Sequence, residues 1–219
     1  MVTPPGDYYN EQGEKIAPDG KNDKKVYVIK TAQSSIDFYG DVSYSGQVQG
    51  ISEVTGQRTE QLLREGKFRG AHMRNVLYVG TRNMINEMVD HVSQDNGEGG
   101  SSSANNREYG GVITPNGRIT SKTAGRVGDP SRPEANSITI NLRVGDSEFH
   151  SHPSGTKKVL FSDGRTGTAS WGGNTQAPSP GDFVGSTSSQ NNFVFGMRSK
   201  TIFIYNKDGI KATMPLKKY

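Results

Sequence analysis

Two of the chain's four histidines, His150 and His152, stand one residue apart in Glu148-Phe-His150-Ser-His152-Pro153. No other stretch narrows the possible folds as much. On a strand, residues i and i+2 point to the same face, so a strand here puts both imidazoles on one side of a sheet. Two ring nitrogens so placed can share one metal ion, at about 2.0–2.1 Å from each. Taken alone, the pair also fits two surface or hydrogen-bonded histidines. Its company adds weight. Thirty residues after His152 comes Pro178-Ser-Pro-Gly-Asp182. It has the composition of a helix start, with a serine cap, proline at the first helical position and an acidic residue in the first turn. Upstream, Glu108 stands directly before Tyr109-Gly-Gly-Val-Ile113, which reads as a strand. One carboxylate completing a two-histidine site, with a second beside it, are the parts that metal-assisted hydrolysis needs. The chain holds no cysteine, so disulfides, thiolate ligands and a cysteine nucleophile are excluded, and any zinc must be held by histidine and carboxylate.

Around these residues the pattern predicts a mixed α/β (α+β) domain with a central mixed β-sheet flanked by helices, preceded by a loop-rich N-terminal segment. Val26–Ile29 and Leu77–Val79 read as short strands. Met84, Ile85, Met88, Val89 and Val92 recur at three and four, which predicts a helix over 82–92 capped by Thr81. After a flexible Gly/Ser-rich loop, Tyr109–Ile113 enters the turn Pro115-Asn-Gly117 and returns over Arg118–Thr120. Residues 121–136 read as loop. Ile138–Leu142 alternates and predicts a strand, and another should run into Phe149–His150. Residues 153–178 form a Gly/Ser/Thr-rich excursion. A short helix is expected from Pro180 to about Ser189, then strands at Phe193–Phe195, Thr201–Tyr205 and Ile210–Met214. The expected division is 1–70, an N-terminal appendage with short strands, and 71–219, the domain that carries the histidines.

The three blocks Glu108-Tyr-Gly-Gly, His150-Ser-His152-Pro and Ser179-Pro-Gly-Asp182 resemble, in order and element type, the signature of the JAMM (JAB/MPN) zinc metalloprotease family. The resemblance covers roughly residues 80–215. It implies a JAMM/cytidine-deaminase-like fold and a zinc-dependent peptidase or isopeptidase. His150, His152 and Asp182 would bind Zn2+, with water in the fourth position. Glu108 would be the general base that passes a proton to the leaving amine, and Ser179 would donate a hydrogen bond to the oxyanion. The chain departs from the family in the long interval between His152 and Asp182, which makes Asp163 a rival ligand. Against Asp163, no serine stands three residues earlier (Leu160 does) and no helix start follows. With Asp182 as ligand, 154–177 is an insertion beside the metal, and Trp171 is either its anchor or simply packs the loop onto the core. Glu148 should share the strand face of His150 and pair with a base or lysine. His72 and His91 are expected to take no part. A non-catalytic scaffold of the same family, or another metal-dependent hydrolase, are the alternatives; a deaminase would want cysteine ligands for its zinc.

Asp7-Tyr-Tyr-Asn-Glu-Gln-Gly13 through Asp19–Ile29 is similar to a junction that precedes toxin domains at the C-termini of Rhs-type polymorphic toxins. That similarity implies a module delivered by a secretion system as part of a longer chain and guarded by an immunity protein. The other reading is an ordinary surface hairpin in a cytoplasmic enzyme. The first residues lack the basic head and apolar run of a signal peptide, and no apolar run approaches the ~20 residues that span a bilayer. Basic residues are scattered, without interleaved aromatics, so the net charge of +4 predicts a solubilising surface and no nucleic-acid partner. The expected partner is a protein or peptide substrate.

Overall fold

The structure is a computed structural model, which describes residues 6–18, 23–32, 50–132, 138–160, 162–171, 176–187 and 190–219. All of the segment 33–49, residues 133–137 at the end of the expected loop, Phe161, residues 172–175 of the expected insertion and the last two residues of the helix expected to reach Ser189 therefore lie outside it. It is a mixed α+β chain. A four-stranded sheet has the order β2-β1-β3-β4 and a six-stranded sheet the order β12-β11-β10-β7-β5-β6. The first is built from β1 (Asp7–Tyr9), β2 (Lys15–Pro18), β3 (Lys25–Ile29) and β4 (Val76–Thr81). The second uses β5 (Tyr109–Ile113), β6 (Ile119–Ala124), β7 (Ser147–His152), β10 (Asn192–Gly196), β11 (Thr201–Asn206) and β12 (Gly209–Pro215). A separate hairpin pairs β8 (Thr156–Leu160) with β9 (Thr166–Ser170).

The six-stranded sheet is mixed: β7 runs parallel to β10 and antiparallel to β5, and the outer pairs are antiparallel. Its central strands are covered on both faces, which explains their near-continuous apolar runs. Along β10 and β11, Phe193, Phe195, Ile202 and Ile204 belong to one core cluster, while Val194, Phe203 and Tyr205 belong to another. Strand alternation is thus split between two apolar layers rather than between core and water. The first layer is filled by α2 (Arg82–Val92), whose Met84, Ile85, Met88, Val89 and Val92 are all buried, and whose cap Thr81 accepts from the Met84 N–H. The second is closed by α3 (Pro180–Val184) through Phe183.

Tyr9, Val26, Val28 and Val79 of the first sheet lie in the same cluster as α2, Phe149 and Phe195. The other face of that sheet buries Tyr8, Ile16 and Ile29 with Leu63 of α1 (Glu53–Arg64). Thr31 also reaches the far end of the chain: its hydroxyl accepts from the Thr213 N–H at 2.7 Å. Among the described residues, no helix is long and apolar enough to cross a membrane.

Four expectations need correction. The helix expected from Pro180 to about Ser189 ends at Val184. Residues 138–142 are not a strand; they have no strand partner among the described residues, and the apolar alternation instead serves a cleft wall lined by Ile138 and Ile140. Residues 121–124 belong to β6 rather than to loop. The excursion after Pro153 is in part a β-hairpin, turned at Ser162-Asp-Gly164, where Gly164 has a positive φ of 81°. That is the left-handed conformation a tight turn asks of glycine.

Candidate metal centre

β7 places the two histidines where the sequence suggests. Phe149 is fully buried in the α2 layer, so His150 and His152 must project from the opposite face, toward α3. Next to them the sheet is kept thin. Gly110 of β5 lies directly across from His150. A Cβ there would come 2.6 Å from the Phe149 carbonyl oxygen and 3.0 Å from the His150 Cβ, closer than packed atoms tolerate. Glycine at 110 is therefore a requirement of the close approach.

Asp182 comes from the other side, on the first turn of α3. Its carboxylate accepts from the Ser179 N–H at 2.5 Å, while its own N–H donates to the Ser179 carbonyl at 3.0 Å. These bonds fix the aspartate's direction before any ligand arrives. The resulting triad is tight: His150 Nε2 lies 3.2 Å from His152 Nε2 and 3.3 Å from Asp182 Oδ1, and His152 Nε2 lies 3.7 Å from Asp182 Oδ2. The three ligand atoms fall within 4.8 Å of one another, so the group can hold a metal ion. Two imidazoles and a carboxylate are a donor set suited to a divalent transition metal.

Electrostatics bind the triad together without a metal. Burial alone would lower the His150 pKa, but the charge and hydrogen bond of Asp182, helped by Glu148 and Glu108, carry it up to about 9. Burial works against ionised Asp182 as well, yet His150 and then His152 hold its carboxyl well below the usual carboxylate range.

Glu108 sits just before β5 and lines the same cleft of about 440 Å³, together with Glu148, His150, His152, Ser179 and Asp182. Burial raises its carboxyl pKa, and the negative charges of Asp182 and Glu148 push the same way. The His150 charge and a hydrogen bond from the Ile138 backbone pull it down. The backbone on either side of Glu108 is pinned: the Tyr109 N–H donates to the buried Ser151 hydroxyl at 2.9 Å, and the Glu108 carbonyl accepts from Gly125 at 2.8 Å. Ser179 is exposed at the cap of α3. A larger groove, about 680 Å³ between β4 and the β5–β6 turn, is lined by neither histidine nor carboxylate among the described residues.

The structure thus brings Glu108, His150, His152, Ser179 and Asp182 to one cleft. Asp163 is elsewhere, exposed in the β8–β9 turn and paired with Arg165 at 2.6 Å. Glu148 does share the histidine face; the Tyr205 hydroxyl donates to it at 2.8 Å, and it also lies 3.9 Å from His150 Nδ1. Trp171 is buried, with its indole N–H donating to Asn106 at 3.1 Å and its carbonyl accepting from Arg198 at 3.1 Å. It ties the end of the hairpin to the loop before Glu108. His91 packs edge-on against Tyr109 and Phe149 on the far side of the sheet, and His72 is half-buried against the Lys67 carbonyl, away from the cleft. Tyr205, Ile138 and Ser151 were not singled out from the sequence. For Ser151 the signal was present, as the residue between the two histidines; for Tyr205 and Ile138 it was not, because their proximity depends on strand register. No protein-family model matches the chain, and neither a curated protein nor a solved structure matches it.

Proposed function

We propose that this chain is a zinc-dependent hydrolase of the JAMM type that cleaves an amide bond in a protein or peptide. The single observation that carries the reading is the convergence of His150, His152 and Asp182 in a cleft that also presents Glu108. A zinc ion held by the three ligands would supply Lewis-acid polarisation of the scissile carbonyl and of the attacking water.

The chain's own residues divide the rest of the work. Glu108 is the general base: it accepts a proton from the attacking water and returns it to the leaving nitrogen. A carboxyl raised by burial is closer to neutrality than an exposed glutamate, which suits a group that must both take and give a proton. Ser179, exposed on the cleft wall, is the hydrogen-bond donor for the oxygen that becomes negative in the transition state; one such donor is worth about 2.7–4 kcal/mol in comparable sites. Ile138 and Ile140 form an apolar wall that limits water and strengthens these polar contacts. The resemblance of the N-terminal stretch to toxin junctions extends the reading to an effector module restrained by an immunity protein.

The test begins with metal content. Purified wild type should carry close to one zinc per chain, and His152→Ala and Asp182→Ala should carry none. Glu108→Gln should keep its zinc and lose hydrolysis of a peptide library. A wild type that takes up no zinc when it is supplied ends the enzyme reading.

A further inference from the structure

Glu148 and Tyr205 stand behind the metal ligands and have no part in the chemistry above. Glu148 is the second residue of β7, its side chain lines the cleft, and its backbone N–H donates to Asn192 Oδ1 at 3.0 Å. Its Oε1 accepts from the Tyr205 hydroxyl at 2.8 Å and lies 3.9 Å from His150 Nδ1. That nitrogen is the one turned away from Asp182 and His152, which face Nε2 instead. Tyr205 is fully buried in the sheet's second apolar layer. A carboxylate this far buried is costly unless it is paired and hydrogen-bonded, and Glu148 is held by both Tyr205 and His150.

We infer that Glu148 is a positioning residue for His150, holding the imidazole with its proton on Nδ1 and its Nε2 lone pair toward the metal, and that Tyr205 fixes Glu148 for this task. The inference rests on the metal reading above. Ligating histidines usually donate their second ring N–H to a carboxylate, which sets the tautomer and strengthens the ligand. At 3.9 Å the contact is an ion pair, longer than a hydrogen bond, and it sets the carboxylate on the Nδ1 side of the ring. Burial and the neighbouring carboxylates push the Tyr205 phenol well above its ordinary value, so it remains a donor at every working pH.

The experiment is competition of the metal-free protein with a chromogenic chelator for zinc, for wild type, Glu148→Ala, Glu148→Gln, Tyr205→Phe and the double variant Tyr205→Phe with Glu148→Ala. Glu148→Ala should bind zinc about 10–100-fold more weakly, the cost usual for losing such a partner. Glu148→Gln keeps an oxygen acceptor and should fall between the two. Tyr205→Phe should weaken binding less, and should add nothing once Glu148 is gone, because it acts through that residue. Nitrogen-15 NMR of the zinc-loaded protein supplies a readout that a merely structural role would not move: a slowly exchanging Nδ1 proton on His150 in wild type, and fast exchange in Glu148→Ala. Wild-type zinc affinity and an unchanged His150 signal in Glu148→Ala or Glu148→Gln would overturn the inference while leaving the metal site intact. Absence of zinc binding in the wild type itself would remove both.

Discussion

At the level of single residues, the proposed metal reading gives His150 two rivals, a proton and a metal, that want the same nitrogen. Its pKa, raised to about 9 by Asp182 above an unfolded value near 6.5, sets the sign of two effects. In the metal-free protein the charged His150–Asp182 pair stabilises the fold fully below pH ~6.5 and fades as pH rises through about 9. Zinc affinity should move the opposite way, rising with pH across that window, because the proton must leave before the metal binds. Calorimetric titrations with zinc in buffers of different ionisation enthalpy should show release of close to one proton at pH 7 and little at pH 9.5. Asp163→Ala should bind zinc like wild type, since that side chain is occupied by Arg165 in a distant turn. That His150, His152, Asp182 and Glu108 meet at one cleft was legible because spacing and flanking residues place them on the right elements. Tyr205 was not: within Thr201–Asn206 nothing distinguishes it from a core aromatic until the register of β7, β10 and β11 is known.

At the level of elements, legibility followed amphipathicity. α2 shows a clean apolar stripe and a cap, and its boundaries were read as they stand in the structure. α1 was missed because it has almost no stripe. Only Thr59 and Leu63 are buried, Val54 is 75% exposed, and the helix is laced instead by pairs such as Arg64–Glu60 and Gln61–Glu65. Such a helix depends on its cap and i,i+4 contacts more than on periodicity. The strand expected over 138–142 failed for the reverse reason, as alternation without a partner. Two substitutions test what the elements do. Gly110→Ala should cost about 1–3 kcal/mol by overpacking, read as a shift in the urea midpoint, and should weaken zinc binding by displacing His150. Trp171→Phe removes the hydrogen bond to Asn106 and should cost about 1–3 kcal/mol, the usual penalty for stranding a buried polar atom. It should leave zinc stoichiometry unchanged, since Trp171 holds the hairpin rather than the ligands.

For the whole molecule, the question is whether the N-terminal strands are separable from the sheet that bears the site. The sequence suggests a boundary near residue 70, since the first segment is polar and rich in turns. In the structure Val26 and Val28, both fully buried, share a core with Met88 and Phe149. Removal of residues 1–32 should therefore expose α2 and abolish cooperative unfolding, rather than leave a folded metal-binding remainder; circular dichroism melts of the truncated chain decide it. A sharp melt with retained zinc would show instead that the second sheet suffices. The shared core was not legible because it joins segments far apart in sequence, and no local pattern reports which distant strand a buried valine will meet.

The bond between Thr31 and Thr213 spans 182 positions of chain. Contacts of that range form slowly, because the entropy of closing a long loop is spent before the contact returns anything. Time therefore orders what the final structure shows all at once: local hairpins first, the meeting of the two ends last. The proposed metal centre, seated on the sheet whose edge strand carries Thr213, should come into being late in refolding. Stopped-flow refolding with a zinc-sensitive dye should then show metal uptake only in the slowest phase, once Thr31 and Thr213 have met.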